Sequence, residues 1–75
     1  MTTQKIAIAG CAGRMGRALL EVVIHAPDMQ LFAALEHINS DDINKNAGEL
    51  IGLHSDVNVT SDFASALVGC DVLID

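Results

Sequence analysis

The sequence contains no tryptophan and no tyrosine, and only two phenylalanines, Phe32 and Phe63. Two isolated rings give no platform on which successive bases could stack. Positive charge is equally scarce. Four Lys and Arg face ten Asp and Glu, for a formal net charge of −6. An acidic chain repels phosphate backbones at long range, so nucleic acid is not expected as a partner. The absence of a basic cluster also argues against a membrane surface. No apolar run approaches the roughly 20 residues needed to span a bilayer. The opening stretch MTTQKIAIAG lacks the apolar core and cleavage pattern of a secretory leader. The expected setting is cytoplasmic. The two cysteines, Cys11 and Cys70, lie far apart, with no CxxC pair and no Cys/His ligand spacing. A metal site is therefore not expected, and both are read as free, buried thiols.

What is present is apolar. Of the 75 residues, 51% are hydrophobic. One domain is the upper bound at this length, and so small a domain covers its core incompletely. Either packing is unusually full or part of the surface awaits a partner.

Residues 5–9, KIAIA, read as a strand buried on both faces, the pattern of a parallel sheet. From residue 13 to 26 the period changes. Met15, Ala18, Leu19, Val22, Val23 and Ala26 fall on one helical face, and Arg17 and Glu21 form an i, i+4 pair on the other. Pro27 ends this helix. Residues 30–36 form a second strand that closes on Glu36. Residues 37–55 form a polar loop with room for a short helical turn. VNVT at 57–60 is a third strand. Ser61 caps a helix over 62–68, Gly69 stops it, and 70–75 form a fourth strand. Strands alternating with helices predict an α/β fold, a Rossmann-type doubly wound parallel sheet of four strands in the order 3-2-1-4. The chain stops on the apolar run that ends at Asp75, and from this an N-terminal piece of a longer domain, covering 1–75, is expected.

The chemistry concentrates in IAIAGCAGRMGR, residues 6–17. A strand, a glycine turn and a helix bring unpaired amides and the positive helix end to one point, a seat for phosphate. Gly10 permits the turn, Gly13 lets a ligand approach the backbone, and Gly16 lets the helix pack on the strand. The Gly-Lys-Ser/Thr signature of a P-loop is missing. The spacing is GxxGxxG, with Ala12 where a dinucleotide fingerprint has its second glycine. Glu36 ends the next strand, where an acid would receive ribose hydroxyls. Together these predict a dinucleotide site. Arg14 suits a phosphate or an adenine face. His37, next to Glu36, is a pH-dependent substitute for a cation at a 2′-phosphate. His25 and His54 read as structural or exposed. Asp75 lies at the strand end that borders the ligand crevice.

IAIAGCAGRMGR, AALEH at 33–37, NAGELIG at 46–52 and CDVLID at 70–75 together resemble the 4-hydroxy-tetrahydrodipicolinate reductase family, also called dihydrodipicolinate reductase. The resemblance covers the whole chain. It implies NADH or NADPH as cofactor and reduction of a cyclic intermediate on the diaminopimelate and lysine route. The cofactor residues it implies are Gly10, Cys11, Ala12, Gly13, Arg14, Met15, Gly16 and Glu36. The position after the acid is commonly arginine in the family, and here it is His37. The resemblance also implies that the catalytic histidine and lysine, the substrate contacts and the contacts of a homotetramer belong to a later domain. No catalytic residue is assigned here, because His25, His37 and His54 do not match that motif. Two rivals remain open: the cofactor portion of a homoserine- or aspartate-type dehydrogenase, and a non-catalytic NAD(H)-sensing module. A fold binding S-adenosylmethionine fits Arg14 poorly.

Overall fold

The computed structural model describes residues 3–75. The first two residues of the stretch searched for a leader lie outside the described residues. The elements are β1 (Gln4–Ala9), α1 (Arg14–His25), β2 (Met29–Leu35), a 3-10 turn (Ala47–Ile51), β3 (Val59–Thr60), α2 (Phe63–Gly69) and β4 (Val72–Ile74).

The four strands form one parallel sheet in the order β3-β2-β1-β4. Ile6, Ala7 and Ile8 sit in the centre, paired on one side with β2 and on the other with Val72, Leu73 and Ile74 of β4. The register with β2 slips between Ile6 and Ala7. Ile6, Ala7 and Ile8 are all buried, because layers cover both faces of the sheet.

Those layers differ. On one face Ile6, Ile8, Cys11, Ala34 and Val59 pack with Leu20 and Val23 of α1 and with Ala47 of the 3-10 turn. On the other, Ala7, Ala33 and Leu35 form a smaller buried cluster with Ala66 of α2. Phe32 lies partly buried on this second face, and the Lys5 ammonium sits 5.8 Å from its ring centre.

Several details depart from the sequence reading. The buried face of α1 is Gly16, Leu20 and Val23, with Leu19 half-buried. Met15 and Val22 are 72% and 58% exposed. The glycine decides this. Gly16 must face the strand, which rotates Met15 outward and brings Leu20, one turn on, into the core. Helix α2 is capped by Asp62 rather than Ser61. Gly69 continues α2 instead of stopping it, and the extended Cys70 follows as C-cap. A Cβ at Gly69 would run into the Phe32 ring, so this glycine serves packing. Strands β3 and β4 are shorter than read.

The polar loop is organised by Asn46. Its Oδ1 accepts hydrogen bonds from the Gly48 and Ser55 amides at 2.9 and 3.0 Å, and its Nδ2 donates to the Ser55 carbonyl at 2.6 Å. This fixes the 3-10 turn against α1 and leads the chain into β3. Both cysteines are free thiols. Burial, then the nearby Glu36 charge, pushes the Cys11 thiol up to about 11. It stays protonated and behaves as a small apolar core group.

Candidate functional site

Gly10 leaves β1 with φ +68°, a left-handed conformation that L side chains resist. The chain then turns inward. The Cys11 side chain enters the core, and its amide donates to the Leu35 carbonyl at 3.2 Å. The Gly13 amide closes back on the Gly10 carbonyl at 3.1 Å. Gly13 is the N-cap of α1, with no side-chain cap bond. The first helical bond runs from the Arg17 amide to the Gly13 carbonyl at 2.9 Å. Among the described residues, the amides of Arg14, Met15 and Gly16 have no hydrogen-bond acceptor, and no acid lies in that turn. These are the orphan donors at the positive end of a 12-residue helix.

Gly16 holds this geometry in place. A Cβ there would overlap the Gly10 carbonyl oxygen and lie 2.6 Å from Cys11 Cα. Both obstacles are backbone, so any larger residue drives the helix off the loop.

Ala12 is gripped from two sides. Its amide donates to Glu36 Oε2 at 3.1 Å, and its carbonyl accepts from Arg17 Nε at 2.9 Å. Glu36 thus crosses from the end of β2 to the glycine loop, while its Oε1 accepts the His37 amide at 3.1 Å. Each carboxylate oxygen keeps further acceptor capacity for a ligand hydroxyl. Arg17 therefore does not pair with Glu21 as its spacing suggested. Helix side chains lean toward the N-terminus, where the Ala12 carbonyl is free. A charge-assisted hydrogen bond there outweighs an exposed i, i+4 ion pair.

Beside this loop lies a cavity of about 370 Å³. Gly10, Glu36, His37, Phe63, Leu73 and Asp75 line it. It opens at the C-terminal ends of β1, β2 and β4, where doubly wound sheets receive ligands. A slightly larger hollow of about 420 Å³ lies near the start of β2, beside His54 and Val57. It sits at the opposite end of the strands, away from the glycine loop. The cavity beside Glu36 thus has the stronger chemical claim. Sequence reasoning missed Phe63 and Leu73 as lining residues. Strand order was the signal that could have found Leu73, but nothing set Phe63 apart from a core residue. His25 Nδ1 lies 2.9 Å from the Glu21 carbonyl, on the helix. Among the described residues no group of three or more His, Cys, Asp or Glu could hold a metal ion. No helix there is long and apolar enough to cross a membrane.

The strand order, the glycine turn between β1 and α1 and the crevice at the strand ends define the N-terminal portion of a Rossmann-type α/β fold. A family model described as dihydrodipicolinate reductase, N-terminus, matches residues 4–75, and the chain belongs to this family. It is 53% identical over all 75 residues to the 4-hydroxy-tetrahydrodipicolinate reductase of Nitrosospira multiformis. Over the same span it is 49% identical to the Nitrosomonas eutropha protein of that name and 47% identical to that of Neisseria meningitidis. The chain spans 28% of the length of each of these relatives.

Proposed function

We propose that this chain is the nicotinamide-dinucleotide-holding part of a 4-hydroxy-tetrahydrodipicolinate reductase. The observation that carries the reading is the row of unpartnered amides at Arg14, Met15 and Gly16, one loop away from the Glu36 carboxylate. The amides would bind the pyrophosphate, and the open backbone at Gly13 admits it without a side chain in the way. The exposed Arg14 adds positive charge at the same mouth. Glu36 would accept a ribose hydroxyl while it fixes Ala12. Cys11 and Ala12 would take part through the shape of their backbone, since their amides are already bonded. A 2′-phosphate would meet the Glu36 charge, and His37 is the adjoining group able to offset it. NADH or NADPH is the cofactor of this reading.

When bound, the cofactor supplies a hydride. In this reading the chain's own residues bind and orient it. Hydride transfer needs the nicotinamide held against the reacting carbon. The substrate site, the catalytic residues and the tetramer contacts would belong to the remaining length of the enzyme, and the 75-residue chain alone would be inactive. The acceptor is the cyclic intermediate named in the relatives' activity, and the setting is the cytoplasm.

Calorimetric titration with NADH and NADPH tests this. The unaltered chain binds at least one of them. Glu36→Ala weakens binding about tenfold, the effect of losing a hydrogen bond to a charged group. An unchanged dissociation constant in that variant, with its helix content preserved, removes Glu36 from the site.

A further inference from the structure

We propose that Phe63 forms the wall of a purine subsite and stacks on the base of the bound dinucleotide; this rests on the cofactor reading above. The composition argues against base stacking, because rings are so few. The fold changes that by placing one of the two where a base would lie. Phe63 shares the cavity of about 370 Å³ with Glu36, His37 and Gly10. If the pyrophosphate sits at the start of α1 and Glu36 takes the ribose, the base continues away from α1, into the space that Phe63 and Leu73 bound. The remaining ring, Phe32, is engaged elsewhere, between Gly69 and Lys5.

Phe63 is also held in place. It is the first residue of α2, and the preceding Asp62 accepts the Ser65 amide at 3.1 Å and the Ser65 hydroxyl at 2.7 Å. This fixes the backbone that carries the ring. Phe63 as a residue is 37% exposed and lines the cavity, in a residue type that usually hides. A purine has a π face and needs no matched hydrogen bonds to stack, so an apolar ring beside a ribose acid recognises the base by its flat surface.

The test compares three ligands on the full chain: NADH, AMP and inorganic pyrophosphate. Phe63→Ala is expected to weaken NADH and AMP about tenfold, the usual worth of one base–ring stack, and to leave pyrophosphate unchanged. Phe63→Leu, which keeps apolar packing, stays weak for AMP. Phe63→Trp restores AMP binding, and its indole fluorescence is quenched as AMP fills the site. Normal NADH and AMP binding by Phe63→Ala overturns the purine wall and leaves the cofactor reading standing. An equal loss for all three ligands overturns it as well, since that marks damage to the fold. If the unaltered chain binds neither NADH nor AMP, the cofactor reading falls and the purine wall falls with it.

Discussion

Helix α1 begins at Gly13 with no side-chain cap, whereas α2 begins at Asp62, whose carboxylate takes both the amide and the hydroxyl of Ser65. Each helix follows a parallel strand of the same sheet, so topology alone does not separate them. The difference lies in what satisfies the orphan amides. At α2 the chain satisfies part of its own need and the junction is closed. At α1 the donors of Arg14, Met15 and Gly16 stay available, yet the loop before them is held firmly through Cys11, Ala12 and Gly13. A rigid loop that leaves its helix uncapped is what a phosphate site requires: the geometry is set in advance, and the ligand supplies the missing acceptors.

The largest expected effect comes from ruining the open junction. Gly16→Val forces a side chain into the Gly10 carbonyl and the Cys11 backbone. A loss of about 3 kcal/mol in stability is expected, visible in denaturant titration, together with loss of dinucleotide binding. Next comes converting the open junction into a closed one. Gly13→Asp gives α1 the kind of cap that α2 has. Stability rises by a few tenths of a kcal/mol, about the usual gain of Asp over Gly at an N-cap. Pyrophosphate affinity falls by about tenfold or more, because a carboxylate now occupies the anion seat. Opposite signs in thermal unfolding and calorimetry are the signature. A fall in both, or no change in affinity, breaks the comparison.

The smallest effect is at the closed end. Hydrogen bonds from the Ser65 hydroxyl and amide hold the Asp62 carboxyl below its ordinary value of 3.8. A carboxylate lowered on folding contributes stability above its unfolded value, and that contribution is lost as pH falls through the folded one. Below about pH 4, the protection factors of the α2 amides, corrected for intrinsic exchange, therefore fall relative to those of α1. Asp62→Ala removes this pH dependence. Equal acid sensitivity at both helices would contradict it.

Much of the frame was legible because its signals are local. Ile6, Ala7 and Ile8 announced a buried parallel strand. Pro27 bounded the first helix, and Glu36 fell at a strand end. The strand order followed from alternation and handedness. What escaped depends on contacts between segments. The face of α1 was misjudged because six apolar residues fitted one stripe, while a single glycine packed against backbone fixed the rotation. Gly69 reads as a helix stop until Phe32 is seen beside it. The cap passed from Ser61 to Asp62 because two adjacent residues can both cap, and the Ser65 hydroxyl favours Asp62. The bond from Arg17 to Ala12 needed the three-dimensional loop. Phe63 needed the cavity itself, since no spacing in the sequence ties it to Glu36.

The central claim is that the amides opening α1 are kept for an anionic cofactor. The direct measurement follows backbone amide resonances of the ¹⁵N-labelled chain during titration with NADH. The largest shifts are expected at Arg14, Met15 and Gly16, with further shifts at Ala12 and His37 through Glu36, and little change at Ser65 and the rest of α2 apart from Phe63. Saturating NADH that leaves Arg14, Met15 and Gly16 unmoved, or that shifts Ser65 as much as these, would contradict the account.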